Sequence, residues 1–179
     1  MKYSPKRTDN AIRAIYDALL IMTVIFAGTG SGVTKAILSS LALISLTASI
    51  YLFIRYDMTS YIYMLNERNG GYDFYIDKYV GKRGGYVCFY PISDSVAFEK
   101  YEKGTKKALR QKYGNIRFYN YSQNIIKADK SIIVFANTNY FDAVIFEPDA
   151  DFSDMIRKAA EVSVKTMDEN GESAQNSEN

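Results

Sequence analysis

The chain has 179 residues, a net charge of +2 and no histidine, which leaves room for one ordinary domain plus an appendage and removes both the usual neutral-pH general base and the commonest metal ligand. Its single cysteine, Cys88, excludes an internal disulfide. The near-balanced charge argues against a dedicated nucleic-acid binder and leaves electrostatic recognition to a local patch.

In chain order, a basic tail (residues 1–13, with Lys2, Lys6, Arg7 and Arg13) precedes two uncharged stretches, Ala18 to Thr34 and Ala36 to Ile54. A helix rises about 1.5 Å per residue and a bilayer core is about 30 Å thick, so some 20 apolar residues suffice to cross it. The second stretch meets that length almost unaided, and the first does so if its helix begins near Ala11 or Ala14. The pattern predicts a transmembrane hairpin over 14–55 with its turn near 28–35. The turn sequence "AGTGSGVTK" imitates a phosphate-binding loop, but aligning the motif on Gly32 puts Ala27 at the first glycine and Val33 at the essential lysine. Turn glycines are the better reading. A cleaved signal peptide is disfavoured by Asp17 at the start of the apolar run and by the second run that follows so closely.

Lysine and arginine around the spans set the orientation. Lys2, Lys6, Arg7 and Arg13 flank the first, Arg55 and Arg68 follow the second, and the turn holds only Lys35, so both termini are expected in the cytoplasm. Tyr16, Tyr51 and Tyr56 fall where interfacial aromatic side chains belong. Asp17 can pair with Arg13 one turn earlier. Ser40, Ala42, Ser45 and Ser49 recur at helix-packing intervals, since small residues let two membrane helices approach closely.

From residue 56 to 164 the chain changes character. Tyrosine- and valine-rich runs alternate with turn signals: "SYIYML", "YDFYIDKYV", "GYVCFYPI", "SVAFEKY", then "NIRFYNY", "KSIIVFAN" and "NYFDAVIFE". Between the fourth and fifth, "KGTKKALRQKYG" has helical character. The last strand stops at Pro148, and Phe152, Ile156, Ala159, Ala160 and Val164 then follow at helical spacing, with Asp149 or Asp151 as cap. Residues 165–179 are polar and acidic and are expected to be disordered.

Seven strands closed by one amphipathic helix, and above all the segment "VIFEPDADFSDMIRKAAE" with the preceding "IRFYNYSQNIIKADKSIIVF", resemble the pleckstrin-homology-like (YcxB-type) domains of small bacterial membrane proteins that carry a two-helix anchor. The resemblance implies an α+β chain: a transmembrane helical hairpin, then a PH-like antiparallel β barrel or sandwich with a C-terminal helix. The basic helix between the fourth and fifth strands equally suits another α+β sheet domain.

The chemistry-bearing candidates are cations. Lys100, Lys103, Lys106, Lys107, Arg110 and Lys112 face one acid, Glu102, within thirteen residues, for a local charge of +5. An anionic leaflet attracts such residues by about 1 kcal/mol each. Lys103, Lys106, Lys107 and Arg110, with Lys82 and Arg83 of an early hairpin, are therefore candidate contacts for anionic lipid headgroups. Asp149, Asp151, Ser153 and Asp154 lack the glycine and closing glutamate of a calcium loop and read as helix-start acids. Cys88 lies in an apolar strand with no histidine to activate it. Tyr119 and Tyr121 read as sheet-face residues. The sequence therefore predicts no catalytic residue, metal or cofactor and no nucleic-acid partner. It predicts a non-enzymatic binding or scaffolding module at the cytoplasmic face of a bacterial inner membrane, with a membrane-protein partner or a second copy of itself. The alternative is an accessory subunit of a membrane transporter.

Overall fold

The two uncharged stretches become an antiparallel helix pair. In the computed structural model, which describes residues 1–68, 70–126 and 129–161, α1 spans Asn10–Gly28 and α2 spans Gly32–Phe53. Between them Gly30 sits at φ +90°, where an added side chain would also press on the Lys35 backbone at 3.2 Å. The glycine-rich segment is a helix–helix turn. α2 continues through a π-helical segment, Ile54–Met58.

The α2 side of the interface between the helices is small and polar. Ala42, Ser45 and Ser49 are buried there, with Ser45 Oγ donating to the Leu19 carbonyl at 2.7 Å and Ser49 Oγ to the Tyr16 carbonyl at 2.9 Å. Ser40 faces outward and bonds back to Ala36 of its own helix. The outward faces carry the apolar side chains: Val24 is 73% exposed and Leu43 and Ile44 are each 66% exposed. With apolar side chains outside and small polar ones inside, α2 is the reverse of a soluble amphipathic helix.

The seven expected strands form, as β2 (Thr59–Arg68), β3 (Gly71–Val80), β4 (Arg83–Pro91), β5 (Ser95–Lys100), β6 (Ile116–Asn120), β7 (Ser131–Ala136) and β8 (Phe141–Phe146). An eighth, β1 (Lys2–Tyr3), comes from the N-terminal tail and pairs with β2, Lys2 opposite Met64. The strands make two four-stranded sheets, ordered β1-β2-β3-β4 and β5-β7-β8-β6. Two features differ from the expected barrel. No closed barrel forms, because Pro91 and the short turn Ile92–Asp94 carry the chain from the last strand of the first sheet to the far edge of the second. The sheets are also not wholly antiparallel: β6 pairs with β8 in parallel. The basic segment is helix α3 (Thr105–Tyr113), which crosses from β5 to β6 as parallel strands require.

The layers are sheet, sheet, helix. Tyr61, Tyr63, Leu65, Phe74 and Ile76 of the first sheet meet Ile133, Phe135, Val144 and Phe146 of the second, each fully buried apolar side chain contributing about 1.5–3 kcal/mol. Tyr63 Oη also donates across the gap to the Tyr121 carbonyl at 2.8 Å. On the other face of the second sheet, α3 inserts Leu109 among Ile132, Val134, Ala143 and Ile145. The last helix, α4, covers residues 150–161. Asp149 caps it by accepting from the Phe152 N–H at 2.8 Å. Phe152 and Ile156 are fully buried, and the Phe152 ring lies 6.1 Å from Tyr3 and 6.4 Å from Tyr63, closing the β1 side of the gap. Val164 and the polar tail, expected from the sequence as helix end and disorder, lie outside the described residues.

Candidate membrane-facing site

The base of the helix pair is joined to the sheets by a ring of polar contacts. Asp57, just past α2, accepts from Arg13 Nη2 at 2.7 Å and from the Tyr16 hydroxyl. Arg13 thus pairs with Asp57 and not with Asp17, which stays exposed one turn further along α1. Helix geometry alone makes Asp17 reachable, but Asp57 is brought in by the antiparallel return of α2 and is the more enclosed acid. Arg55 donates to the Ser122 carbonyl at 2.7 Å and lies 5.5 Å over the Tyr61 ring. Gln123 Nε2 donates to the Thr59 carbonyl at 2.9 Å. Ile12, Tyr16 and Tyr56 fill the centre of this ring, so two of the three tyrosines expected at the lipid interface are buried in protein; Tyr51 is exposed.

Residues 1–9 strap this base to the domain. The Met1 ammonium donates to the Leu65 carbonyl and Arg7 Nη2 to that of Thr59 at 3.2 Å. Asn124 is the knot. Its Oδ1 accepts from the Thr8 N–H at 2.7 Å, its Nδ2 donates to the Lys6 carbonyl and to Glu147 Oε2 at 2.8 Å each, and its own N–H donates to Glu147 Oε1 at 2.7 Å. Asp9 precedes α1 but accepts from the Ile126 N–H at 2.6 Å. Burial raises the Glu147 pKa and the two Asn124 bonds pull it back down. Burial lowers that of Lys130, and the Glu147 and Asp9 charges restore only part of it.

The structure separates the six candidate lipid cations into two groups. Lys82 and Arg83 lie at the tip of the β3–β4 hairpin, where Gly81, at φ +60°, donates its N–H to the Met58 carbonyl at 2.9 Å. Thr59 pairs with Val80 there, so this tip sits beside the end of α2. Tyr79 lies across Gly84, where any Cβ would come within 2.2 Å of its ring. Lys106, Lys107 and Arg110 belong to α3, on the outer face of the second sheet, and Lys103 lies in the turn just before it. Lys106 and Arg110 lie 5.5 Å and 5.4 Å over the Phe118 ring, and all four cations are exposed. α3 runs from the Lys100–Ser131 end of its sheet toward the Ile116–Phe141 end, so Lys103 lies nearer the helix base than Arg110. Arg68, counted from the sequence as a flank of the second span, lies at the far end of the ten-residue β2, about 30 Å away.

Cys88 is buried, and that burial, assisted by the Asp142 charge, pushes its thiol up to about 12. At pH 8 its alkylation by iodoacetamide is expected to run at least about a hundredfold slower than that of a free thiol and to reach the ordinary rate on denaturation. Alkylation of the native chain at the free-thiol rate would contradict this packing. Sequence reasoning missed Asp57, Asn124 and Glu147, although an acid set among the cations just beyond the second apolar run was a visible signal for the first. Comparison of the chain with protein-family models, curated proteins and solved structures finds no match.

Proposed function

We propose that the chain is a membrane-anchored binding module: α1 and α2 cross the bilayer as a hairpin, and the two-sheet domain is held against the cytoplasmic face of a bacterial inner membrane. The observation that carries this reading is the outward apolar surface of the helix pair. Both helices are long and apolar enough to span, only 11% and 17% of their apolar windows are buried, and α2 turns its small serines inward onto α1. The core helix of a soluble protein would be mostly buried. A cleaved signal would take β1, Thr8 and Asp9 with it and strip contacts from Leu65, Asn124 and Ile126. Lys6, Arg7, Arg13, Arg55, Lys82 and Arg83 cluster near the base against Lys35 alone at the turn, which favours a cytoplasmic domain. The role is tethering. The anchor raises the local concentration of the domain near headgroups and membrane-bound partners, with Lys82 and Arg83 best placed to touch anionic lipid. This reading needs two sheets on an anchor and does not depend on a PH-like fold.

The test is fractionation of cells expressing the full chain. The protein is expected to stay in the membrane pellet through an alkaline carbonate wash, to be released by detergent, and to resist protease added outside spheroplasts. Recovery in the soluble fraction, or external cleavage between residues 56 and 161, would overturn the reading. The second reading, an accessory subunit of a transporter, is favoured by a concave apolar strip on α2 formed by Leu43, Ile44, Thr47, Ala48 and Tyr51. It predicts that a photo-crosslinker at residue 47 captures a polytopic protein.

A further inference from the structure

The gap between the sheets is closed by α4 on the β1 side and open on the other, between the edge strands β4 and β6. In that opening lies a cavity of about 290 Å³. Asp142, only 4% exposed, lines it. One carboxylate oxygen, Oδ2, accepts from the Tyr90 hydroxyl at 2.7 Å and from Asn137 Nδ2 at 2.8 Å. The other, Oδ1, is buried with no hydrogen-bond partner among the described residues. A carboxylate oxygen withdrawn from water without a donor is costly. The carboxylate is oriented by two neighbours through one oxygen, and the other has its acceptor capacity unused.

The walls are aromatic: Tyr90, Tyr119, Tyr121 and Tyr140. Tyr90 is fixed by stacking on Phe135 at 4.3 Å, and Tyr121 by its hydroxyl bond to the Val87 carbonyl at 3.3 Å. The Tyr140 ring already receives a cation, the Arg117 guanidinium 4.0 Å from its centroid. Arg117 is the register partner of Asp142, yet it lies over this ring and not on the carboxylate. A buried anion at the base of tyrosine rings repels anions and favours a cation that can both donate a hydrogen bond and rest on a π-face. A transition metal is a poor fit, since among the described residues no group of three or more cysteine and acid side chains gathers to hold one.

We propose that this cavity binds an organic cation bearing N–H groups, an alkylammonium or guanidinium, which donates to Asp142 Oδ1 and lies between the tyrosine rings. This goes beyond anchoring, because the carboxylate lies at the end of the cavity remote from the helix base. Glu147, at the end of β8, joins the strap at the helix base, and Asp142 lies five residues earlier, about 16 Å farther off. Ammonium headgroups of the adjoining leaflet do not reach it. The cation therefore comes as a free amine from solution or as a lysine or arginine side chain on a partner protein, with the same chemistry at Oδ1.

The experiment is calorimetric titration of the full chain, in amine-free detergent micelles, with agmatine, butylammonium, and lysine and arginine blocked at both ends, using tetramethylammonium as the control without N–H. At least one N–H cation is expected to bind saturably at one per chain. Asp142→Asn is expected to weaken that binding tenfold or more, and Tyr119→Ala, which removes a half-exposed wall and no hydrogen bond, to weaken it severalfold. The tyrosine variant carries the test if the aspartate variant fails to fold. Binding of agmatine or butylammonium assigns the free cation, and binding of the blocked amino acids alone assigns a protein side chain. No saturable binding of any N–H cation, affinity unchanged in both variants, or tetramethylammonium binding as tightly as butylammonium would each overturn the proposal.

Discussion

Replacing Asn124 by alanine is expected to destabilise the chain by about 3–5 kcal/mol, the largest effect of any single polar substitution outside the helices. Asn124 is 3% exposed, and its side chain serves three partners: the Thr8 N–H, the Lys6 carbonyl and Glu147 Oε2. A neutral hydrogen bond contributes about 0.5–1.5 kcal/mol and one to a charged group about 1.5–3 kcal/mol, with a further cost when a buried carboxylate loses its donor. The deficit also has a pH signature. Glu147 already has a raised pKa from burial, held down by the Asn124 bonds. Losing the side-chain bond raises it further, so in the variant the folded state takes up the proton at higher pH than the unfolded state, whose carboxyl titrates near 4.5. Above both values that group must be ionised and under-bonded, so the deficit grows as pH rises from the ordinary carboxyl range through the raised folded-state value, and is largest above it. Denaturant melts of the full chain in micelles at several pH values would measure it. A deficit below about 1 kcal/mol, or one that shrinks with rising pH, would mean the strap is not held as described. The N–H of Leu65, bonded to the Met1 carbonyl, is expected to exchange faster in the same variant as β1 detaches.

The strap changes how the domain must be studied. A fragment beginning at residue 56 would lack β1 and leave Asn124 without Lys6 and Thr8. The basic tail, which from its charges alone reads as a flank of the first span, is structurally part of the domain.

What the sequence revealed and what it hid follow from the range of the interaction concerned. The two long apolar helices are a matter of contiguous apolar length, and the strands of contiguous alternation, so both were legible: Thr59, Tyr61, Tyr63 and Leu65 alternate inward within one strand. β1 is two residues long and polar, too short for any periodicity to register. The parallel β6–β8 pair depends on where α3 delivers the chain, and the sequence shows the helix without its destination. Arg13 finds Asp57 across 44 positions while Asp17 stands four away, so a local rule selected the wrong acid. Ser122, Gln123 and Asn124 carry no apolar pattern of their own, yet all are at most 3% exposed because the helix base and the strap close over them. Asp142 left a fainter trace, a lone acid within the apolar run "FDAVIF". An acid inside such a strand must be paired or functional, and nothing in the strand itself says which.

The small residues of α2 yield the second large effect. Ser49→Leu is expected to cost about 2–4 kcal/mol and to splay the hairpin, whereas Ser40→Leu is expected to be neutral within about 0.5 kcal/mol, although both belong to the same repeating pattern. Ser49 is 1% exposed, and its hydroxyl bonds the Tyr16 carbonyl one helix away. A leucine there adds three carbons to a filled contact, and overpacking costs about 1–3 kcal/mol; the lost interhelical bond adds about 0.6 kcal/mol. The damage would spread, because Tyr16 is also the residue whose hydroxyl meets Asp57, so moving the Tyr16 backbone loosens the Arg13–Asp57 clasp at the domain boundary. Ser40, by contrast, bonds within its own helix and faces outward, where leucine is as compatible with lipid as serine. Thermal melts of both variants in micelles, with the distance between spin labels at residues 21 and 43 as a second readout, would separate them. Equal effects at the two positions would show that α1 and α2 do not pack through Ser45 and Ser49. A loss of partner capture on Ser49→Leu would then report a broken hairpin, so the outward strip around residue 47 is the place where a partner helix should be sought.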